Sequence, residues 1–177
     1  GLIDRFGSID DTEGGTTQRS GTILKYEKTI DKKTSFKNTF YYSYYYFELF
    51  SNFTFFLNDP INGDQIKQKE KRNLVGFESQ LAKKYTLGSN QLHIQYAVGL
   101  RNDETKNSEL SHTLNRQITL TPLQLGNITE TNYFGYINAD FNIGKWLINP
   151  SIRLDYFDFE YQNQLISSYK TQSESKT

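Results

Sequence analysis

The sequence predicts an all-β protein, an antiparallel up-and-down transmembrane β-barrel, on three observations. Apolar and polar residues alternate with a period of two, as they do along a strand that has two different faces. The alternating segments run from 11 to 16 residues, longer than the ~5–6 usual in soluble strands and long enough for the ~9–11 of a membrane strand. Short and long connections also alternate, which is typical of outer-membrane barrels.

Six strands are predicted in order along the chain. They are 18–30, 35–50, 73–85, 91–101, 133–143 and 146–156. The first alternates weakly, with Lys25 and Glu27 opposite its apolar residues. The second is aromatic on both faces, and we predict a strand because aromatic residues favour strands and no polar helical face exists. The third and fifth separate apolar from polar residues more clearly.

The fourth and sixth strands carry the clearest patterns. In 91–101 every even position is apolar or aromatic, and no odd position holds a large apolar residue. We expect the even positions to face lipid: Leu92, Ile94, Tyr96, Val98 and Leu100. In 146–156 the even positions are again apolar, and Pro150 should lie near the start of the strand because proline cannot donate to the ladder.

The connections predict which end of each strand faces which side. Segments 31–34, 86–90 and 144–145 are short and turn-like, whereas 51–72 and 102–132 are long, with 22 and 31 residues. In a meander this alternation puts all short turns at one end of the strands. We expect the long loops outside the cell and the short turns in the periplasm.

Composition excludes several classes of protein. The 177 residues carry 20 basic and 20 acidic side chains, so a nucleic-acid partner, which calls for a basic excess, is not expected. No run of 18 apolar residues exists, and cysteine is absent, which removes disulfides and thiolate sites. The informative anomaly is the aromatic fraction of 15%.

No arrangement of residues predicts an enzyme, a metal site or a cofactor. His93 and His112 lie 19 residues apart without a carboxylate at ligand spacing. Two acidic groups leave a choice between a cation site and an ordinary turn, with the turn favoured: one is Asp10, Asp11 and Glu13, and the other is Asn58, Asp59, Asn62 and Asp64. The basic run of Lys67, Lys69, Lys71 and Arg72 either attracts an anionic chelate or, by default, flanks a loop.

Three motifs point to a family. They are LIDRFGSIDDTEGG at 2–15, FTFFLNDPINGDQIKQKEKR at 53–72 and WLINPSIRLDYF at 146–157. Together they resemble the barrel of TonB-dependent outer-membrane receptors, especially those of Bacteroidetes-type bacteria. The resemblance implies about 22 strands around a plugged lumen. Residues 1–177 would be a partial barrel domain, with the plug and the remaining strands not in this chain.

The resemblance also implies a function and a place. The protein would be a receptor of the bacterial outer membrane that takes up a scarce nutrient, such as a ferric siderophore or another metal chelate. Its partners would be outer-membrane lipid, the nutrient, and the TonB complex through the plug. Two alternatives stay open: a passive porin-like channel subunit, and a soluble β-sandwich that binds carbohydrate.

Candidate site residues follow from these expectations. The candidates for contact with substrate are Tyr41, Tyr45, Arg101, His112 and Arg116, because tyrosine offers a rigid surface with a hydroxyl and the charged groups lie toward the long loops. The residues expected to face the lumen are His93, Gln95, Arg153 and Asp155. The last two share a strand face at i and i+2 and would help the wall to hold a plug.

Overall fold

The structure is a computed structural model that describes residues 4, 5, 7, 10–165 and 172–176. These residues form eight strands, and no helix in this part of the chain is long and apolar enough to cross a membrane. The strands are β1 (Gly14–Thr29), β2 (Thr34–Ser51), β3 (Ile66–Leu87), β4 (Asn90–Leu114), β5 (Ile118–Ile143), β6 (Trp146–Ile148), β7 (Ser151–Asn163) and β8 (Gln172–Lys176).

All eight strands belong to one antiparallel sheet. Its order is β1-β2-β3-β4-β5-β7-β8, and β6 pairs with β5 just before β7 begins. Apart from the short β6, which pairs only with β5, each strand pairs with the next one along the chain, which is the up-and-down arrangement. The predicted fold class, all-β with an antiparallel up-and-down sheet, is confirmed.

The prediction of a long loop at 102–132 is wrong. β4 continues to Leu114 and β5 begins at Ile118, so a turn of residues 115–117 joins the two strands. Their pairing runs through this extension with several register shifts. The extension reaches roughly 40 Å beyond Arg101. Polar residues occupy both of its faces, so the period-two pattern that marks the other strands is lost here.

Three other boundaries differ from the predictions. β3 begins at Ile66, which shortens the long connection predicted at 51–72 to residues 52–65. β7 begins just after Pro150, whose carbonyl accepts a hydrogen bond from Ala139 N at 3.0 Å, so the proline separates β6 from β7. The segment after the last predicted strand also pairs: β7 continues to Asn163, and residues 172–176 form the short strand β8.

The sheet is a single layer with almost no hydrophobic core. Phe50 and Ala97 are its buried hydrophobic residues among those described, and strands contact only their neighbours in the sheet. Large apolar side chains stay exposed, with Leu154 at 74% and Val98 at 63%. A β-sandwich would bury such a face against a second sheet. The described residues form no second sheet, which excludes the sandwich alternative for this part of the chain.

The two faces of the sheet differ in chemistry. We call the face that carries Val98 the outer face and the face that carries Ala97 the inner face. Directly paired residues point to the same side, so the register assigns every strand residue to one face. On the outer face one row across five strands is wholly apolar: Phe36, Leu81, Tyr96, Ile137 and Ile152. The inner face holds most of the charged and amide side chains of the same strand segments.

Candidate functional site

The centre of the candidate site is a pair of arginines that share one carboxylate on the inner face. Asp103 is 5% exposed. Arg72 donates to both of its oxygens, through Nε at 2.6 Å and Nη2 at 2.5 Å. Arg101 donates to the same carboxylate through Nη2 alone, at 2.8 Å. We call these three residues the arginine cluster.

The two arginines differ in how many N–H donors Asp103 leaves unused. Both planar N–H groups on one side of Arg72 are used by Asp103, so its guanidinium is fixed as a fork. Arg101 Nε is buried and has no hydrogen-bond partner among the described residues, whereas the side chain as a whole is 40% exposed. Arg101 therefore keeps guanidinium N–H groups that Asp103 does not use, on a partly exposed side chain, whereas Arg72 mainly holds the carboxylate in place.

Two tyrosines lie on the same face as the arginine cluster. Tyr41 pairs in register with Gly76, which pairs with Arg101 on its other side. The Tyr41 ring covers Gly76 so closely that a Cβ there would lie 2.0 Å from Tyr41 Cζ. Because Gly76 has no side chain, none stands between Tyr41 and Arg101. Tyr45 pairs with Arg72 in the register.

A second ion pair lies two strands away, as i and i+2 neighbours on the inner face. Arg153 donates to Asp155 through Nε and Nη2, both at 2.8 Å, and its Cζ lies 4.1 Å from the centroid of Phe134. Asn132 Nδ2 donates to Asp155 at 3.2 Å. Asn132 pairs in register with Arg101, so this pair adjoins the arginine cluster.

His93 and Gln95 lie on the inner face but far from the cluster. His93 Nδ1 is 3.6 Å from Asp140 Oδ2 on the neighbouring strand. Eight positions separate His93 from Arg101, or roughly 26 Å along β4. Within the described part of the chain, no group of three or more His, Cys, Asp or Glu side chains could hold a metal ion.

The other two candidates lie in a second place, where three segments meet. These segments, residues 10–13, 52–65 and 112–117, are called the loop junction. His112 Nε2 is 2.6 Å from Gly63 O. Arg116 donates through Nε to Thr12 O at 2.5 Å and through Nη2 to Glu13 O. His112 and Arg116 therefore bind backbone carbonyls of the junction, and the structure does not bring them near Arg101.

Gln65 connects all three segments of the loop junction. It is 3% exposed, and its Nε2 donates to Thr12 Oγ1 at 2.6 Å. Its Oε1 accepts from Thr113 Oγ1 at 3.1 Å and from Arg116 N at 2.9 Å. This one side chain uses both ends of its amide, which explains why a loop of this length is held on the tip of the β4–β5 hairpin.

The acidic groups of the first and second motifs serve the same junction. Asp10 accepts from Thr12 N at 2.8 Å and from Asn52 Nδ2 at 2.9 Å, and the hydrogen bond from the Thr12 side chain leads the effects that lower its pKa. Glu13 accepts from Asn52 N at 2.7 Å. These carboxylates bind N–H and O–H donors of turns, as the turn interpretation predicts.

The Glu-Gly-Gly sequence that begins β1 has a steric cause. Gly14 has φ +127°, a conformation that side chains rarely adopt. A Cβ on Gly15 would lie 2.1 Å from the backbone oxygen of Glu48. The two glycines let the chain pass from the loop junction into close pairing with β2.

Asp64 secures the 52–65 loop from within. Its carboxylate accepts from Asp59 N at 2.7 Å and from Asn58 N at 3.0 Å. Partial burial opposes the charged form, but hydrogen bonds from Asn58, Thr54 and Asp59 outweigh it and lower the pKa of Asp64 from 3.8 to about 2. The ionised carboxylate is thus the form that the loop stabilises.

Acid is expected to loosen this loop only below about pH 4. Because the folded pKa is lowered, Asp64 contributes its full stabilisation above 3.8 and loses it as the pH falls toward about 2. Pepsin cleavage within 53–57, normalised to a denatured sample, should rise across that window. Asp64→Asn should be cleaved readily at about pH 4.5 and show a smaller rise, with Asp158→Asn as the control. An equal rise in wild type and Asp64→Asn would contradict this role.

Comparisons with known proteins identify the family. The family model described as TonB dependent receptor-like, beta-barrel matches residues 1–177. The chain belongs to this family. Members of the TonB-dependent receptor family are outer-membrane β-barrels that act as receptors and transporters, and the family is not an enzyme family. A search of curated protein sequences finds no match to the chain.

Solved TonB-dependent receptors share its fold. The ferric citrate transporter FecA, in the unliganded form, superposes with a TM-score of 0.77 at 14% identity, over 98% of this chain and 26% of its own. The ferric-catecholate import receptor Fiu from K12 E. coli, in a closed form, superposes with a TM-score of 0.62 at 12% identity, over 97% of this chain and 31% of its own. The chain thus spans between a quarter and a third of the solved receptors.

The sequence does not predict that Arg72 and Asp103 meet in this candidate site. Asp103 falls in the segment predicted as a loop, and Arg72 ends a basic run for which a loop flank is the default prediction and attraction of an anionic chelate the alternative. In the structure both lie on the inner face of paired strands. The spacing of these residues was a usable signal. Asp103 follows Arg101 at i+2, so a strand that continues past Arg101 places both side chains on one face.

Proposed function

We propose that this chain forms part of the wall of an outer-membrane receptor that binds a small nutrient and imports it with energy delivered by TonB. The nutrient we propose is a ferric siderophore or another metal chelate. The names of FecA and Fiu support a ferric chelate as the class. The remaining strands, the plug and the contact with TonB are proposed to belong to the rest of the receptor.

One observation carries this proposal: the partly exposed Arg101 gives Asp103 only one of its guanidinium nitrogens and lies on the same inner face as Tyr41, in a sheet whose outer face carries an apolar band. A metal chelate presents oxygen atoms and, often, flat rings. An arginine with free donors suits the oxygen atoms, because guanidinium N–H groups bind carboxylate-like oxygens directionally. Tyr41 and Tyr45 offer ring surface and a hydroxyl.

The inner face around the cluster is not strongly cationic. Basic and acidic side chains are matched at this height: Arg19, Arg72 and Arg101 against Glu70, Asp103 and Glu130. Long-range attraction of an anion is therefore weak here. Recognition would depend on short, directed hydrogen bonds from Arg101, made after the chelate has entered the barrel mouth.

The proposed orientation places the tip of the β4–β5 hairpin and the loop junction outside the cell. The turns that contain Gly88 and Gly144 then face the periplasm, as short turns do in such barrels. Nutrient arriving from outside would pass the loop junction before it reaches the arginine cluster. The loop junction would line the barrel mouth, and the arginine cluster would bind the nutrient within it.

Replacing Arg101 by alanine is expected to weaken binding of the nutrient by ten- to a hundredfold. The estimate corresponds to loss of a hydrogen bond from a charged donor, about 1.5–3 kcal/mol. Binding would be measured on the complete purified receptor by titration against a panel of ferric chelates. Arg101→Lys should restore only part of the affinity, because a single ammonium cannot reproduce the guanidinium geometry.

Lys84→Gln, on the inner face at the other end of β3, is the matched control and should bind as wild type does. Uptake measured with and without a functional TonB separates the energised receptor from a passive channel. Wild-type affinity in Arg101→Ala would contradict the assigned contact. Uptake that persists without TonB would contradict the transport mechanism.

A further inference from the structure

We propose that Gly76 is a positioning residue for binding of the nutrient. Because it has no side chain, the ring of Tyr41 can lie across β3 beside Arg101. There the ring selects chelates that present a planar ring next to their oxygen atoms. Gly76 would thus set the substrate class of the proposed receptor, so this inference rests on the proposed function.

The backbone at position 76 gives no reason for a glycine. The turn residues Gly88 and Gly144 have positive φ, which favours glycine, but Gly76 does not. It lies within β3, where the register with both neighbouring strands is continuous. Glycine inside a strand weakens the strand and often marks the close approach of another group. The reason for this glycine is therefore steric.

The group that approaches Gly76 is the ring of Tyr41. A Cβ at position 76 would lie 2.0 Å from Tyr41 Cζ, 2.3 Å from its Oη and 2.5 Å from its Cε1, and these are the three nearest atoms. At Gly15, by contrast, the nearest atom is the backbone oxygen of Glu48. The end of a side chain can move aside, whereas paired backbone cannot. Alanine at position 76 would therefore displace the Tyr41 ring and leave the sheet intact.

The ring extends from β2 toward the arginine cluster. Gly76 pairs in register with Tyr41 on one side and with Arg101 on the other. Adjacent strands lie ~4.8 Å apart, so the tip of the ring over Gly76 ends about one strand spacing from the backbone of Arg101. Ring surface and guanidinium N–H groups are thus neighbours on the inner face.

A second ring on this face lies over a glycine in the same way, but its surface is already occupied. A Cβ on Gly99 would lie 2.3 Å from Cζ of Phe134, its register partner. Arg153 Cζ lies 4.1 Å from the centroid of the Phe134 ring. Within the described part of the chain, no other ring stacks on Tyr41 and no cation lies over it. Tyr41 is therefore the ring whose surface a ligand can use.

Two carboxylates orient a ligand at this place. On the inner face, Glu78 lies two positions from Gly76 along β3, and Asp103 lies two positions from Arg101 along β4. Like charges brought together disfavour binding. A chelate with oxygen atoms on every side would therefore meet repulsion here. A chelate with a planar ring can place that ring against Tyr41 and direct its oxygen atoms to Arg101.

The test compares two ferric complexes on the complete purified receptor by calorimetric titration. The complex of 2,3-dihydroxybenzoate carries planar rings, whereas ferric citrate carries none. Gly76→Ala should weaken binding of the first about three- to tenfold, the contribution of an aromatic pair, and affect ferric citrate less. Its unfolding midpoint should not fall. The matched control is Gly135→Ala on the outer face, where a Cβ would lie 3.6 Å from Ala97 O and displace no ring.

A double substitution shows whether Gly76 acts through the ring. Tyr41→Leu should weaken binding of the 2,3-dihydroxybenzoate complex as much as Gly76→Ala does. Gly76→Ala/Tyr41→Leu should bind as Tyr41→Leu does, because no ring is left for the added methyl group to displace. A purely structural role of Gly76 would instead give losses that add and a lower unfolding midpoint.

Three outcomes would overturn the inference. They are a wild type without preference for the ring-bearing complex, an equal loss of affinity for both complexes in Gly76→Ala, and additive losses in the double variant. The proposed function makes a separate prediction on the same preparations, that Arg101→Ala weakens binding of whichever chelate the receptor takes. A failure of ring selection is therefore distinguishable from a failure of the proposed function.

Discussion

Val98→Arg is expected to destabilise the folded barrel by about 2–4 kcal/mol, the cost of arginine on the lipid face near the bilayer midplane. Val98 is 63% exposed on the outer face, and its register partners are Ser79 and Gly135, which offer no carboxylate. Arginine at position 94 should cost less. Ile94 pairs in register with Lys83, whose charge indicates that the membrane–water interface is near. The measurement is reversible unfolding of the complete receptor in lipid vesicles.

Gln95→Arg provides the matched control on the same strand. Gln95 pairs with Ala82 and Asn138 on the inner face, where a charged side chain can meet water or polar groups. We expect it to change the free energy of unfolding by less than about 1 kcal/mol. Equal destabilisation by the two substitutions would show that the faces are misassigned or that the sheet does not lie in a membrane.

Asp103→Ala is expected to have the second largest effect on stability, about 1–3 kcal/mol. The substitution removes the acceptor that Arg72 and Arg101 share and leaves two guanidinium groups close together. Both arginine side chains are about 40% exposed, so water compensates for part of the loss. The effect should appear in unfolding and, because Arg101 loses its anchor, also in nutrient binding.

A double substitution separates charge imbalance from lost packing. Arg72→Met/Asp103→Leu removes one charge of each sign and should be more stable than Asp103→Ala, because an unpaired charge costs more than an apolar replacement of the pair. If the double variant were as unstable as Asp103→Ala, the arginine cluster would not be an electrostatic unit.

Much of the fold could be predicted because strands with one apolar face carry a strict alternation of apolar and polar residues. Where one face must be apolar, as at Leu92 to Leu100 in β4, the alternation is strict and the strand is unmistakable. The same constraint explains why β1 was predicted less clearly: its outer face changes from Leu24 and Tyr26 to Thr16 and Gln18 within one strand. The alternation of apolar and polar residues therefore depends on what surrounds each face of a strand as well as on the secondary structure.

The rest of the fold could not be predicted, because its strand segments do not have one apolar and one polar face. Residues 102–114 and 118–132 form strands, yet polar residues occur on both of their faces, so they resemble a loop in sequence. The arginine cluster lies at the start of this extension and was divided between a predicted strand and a predicted loop. The loop junction depends on Gln65, whose partners Thr12 and Arg116 lie 53 and 51 positions away. No local pattern indicates such contacts.

Labelling of single cysteines on intact cells tests the central claim most directly, that this sheet crosses the outer membrane with the β4–β5 tip outside. The chain has no cysteine of its own, so the labelled position is unambiguous within it. Gln117 and Ser89 are both exposed, at opposite ends of the strands. Gln117→Cys should react with a membrane-impermeant maleimide, and Ser89→Cys should react only after the outer membrane is permeabilised. The reverse pattern, or equal labelling of both on intact cells, would contradict the account.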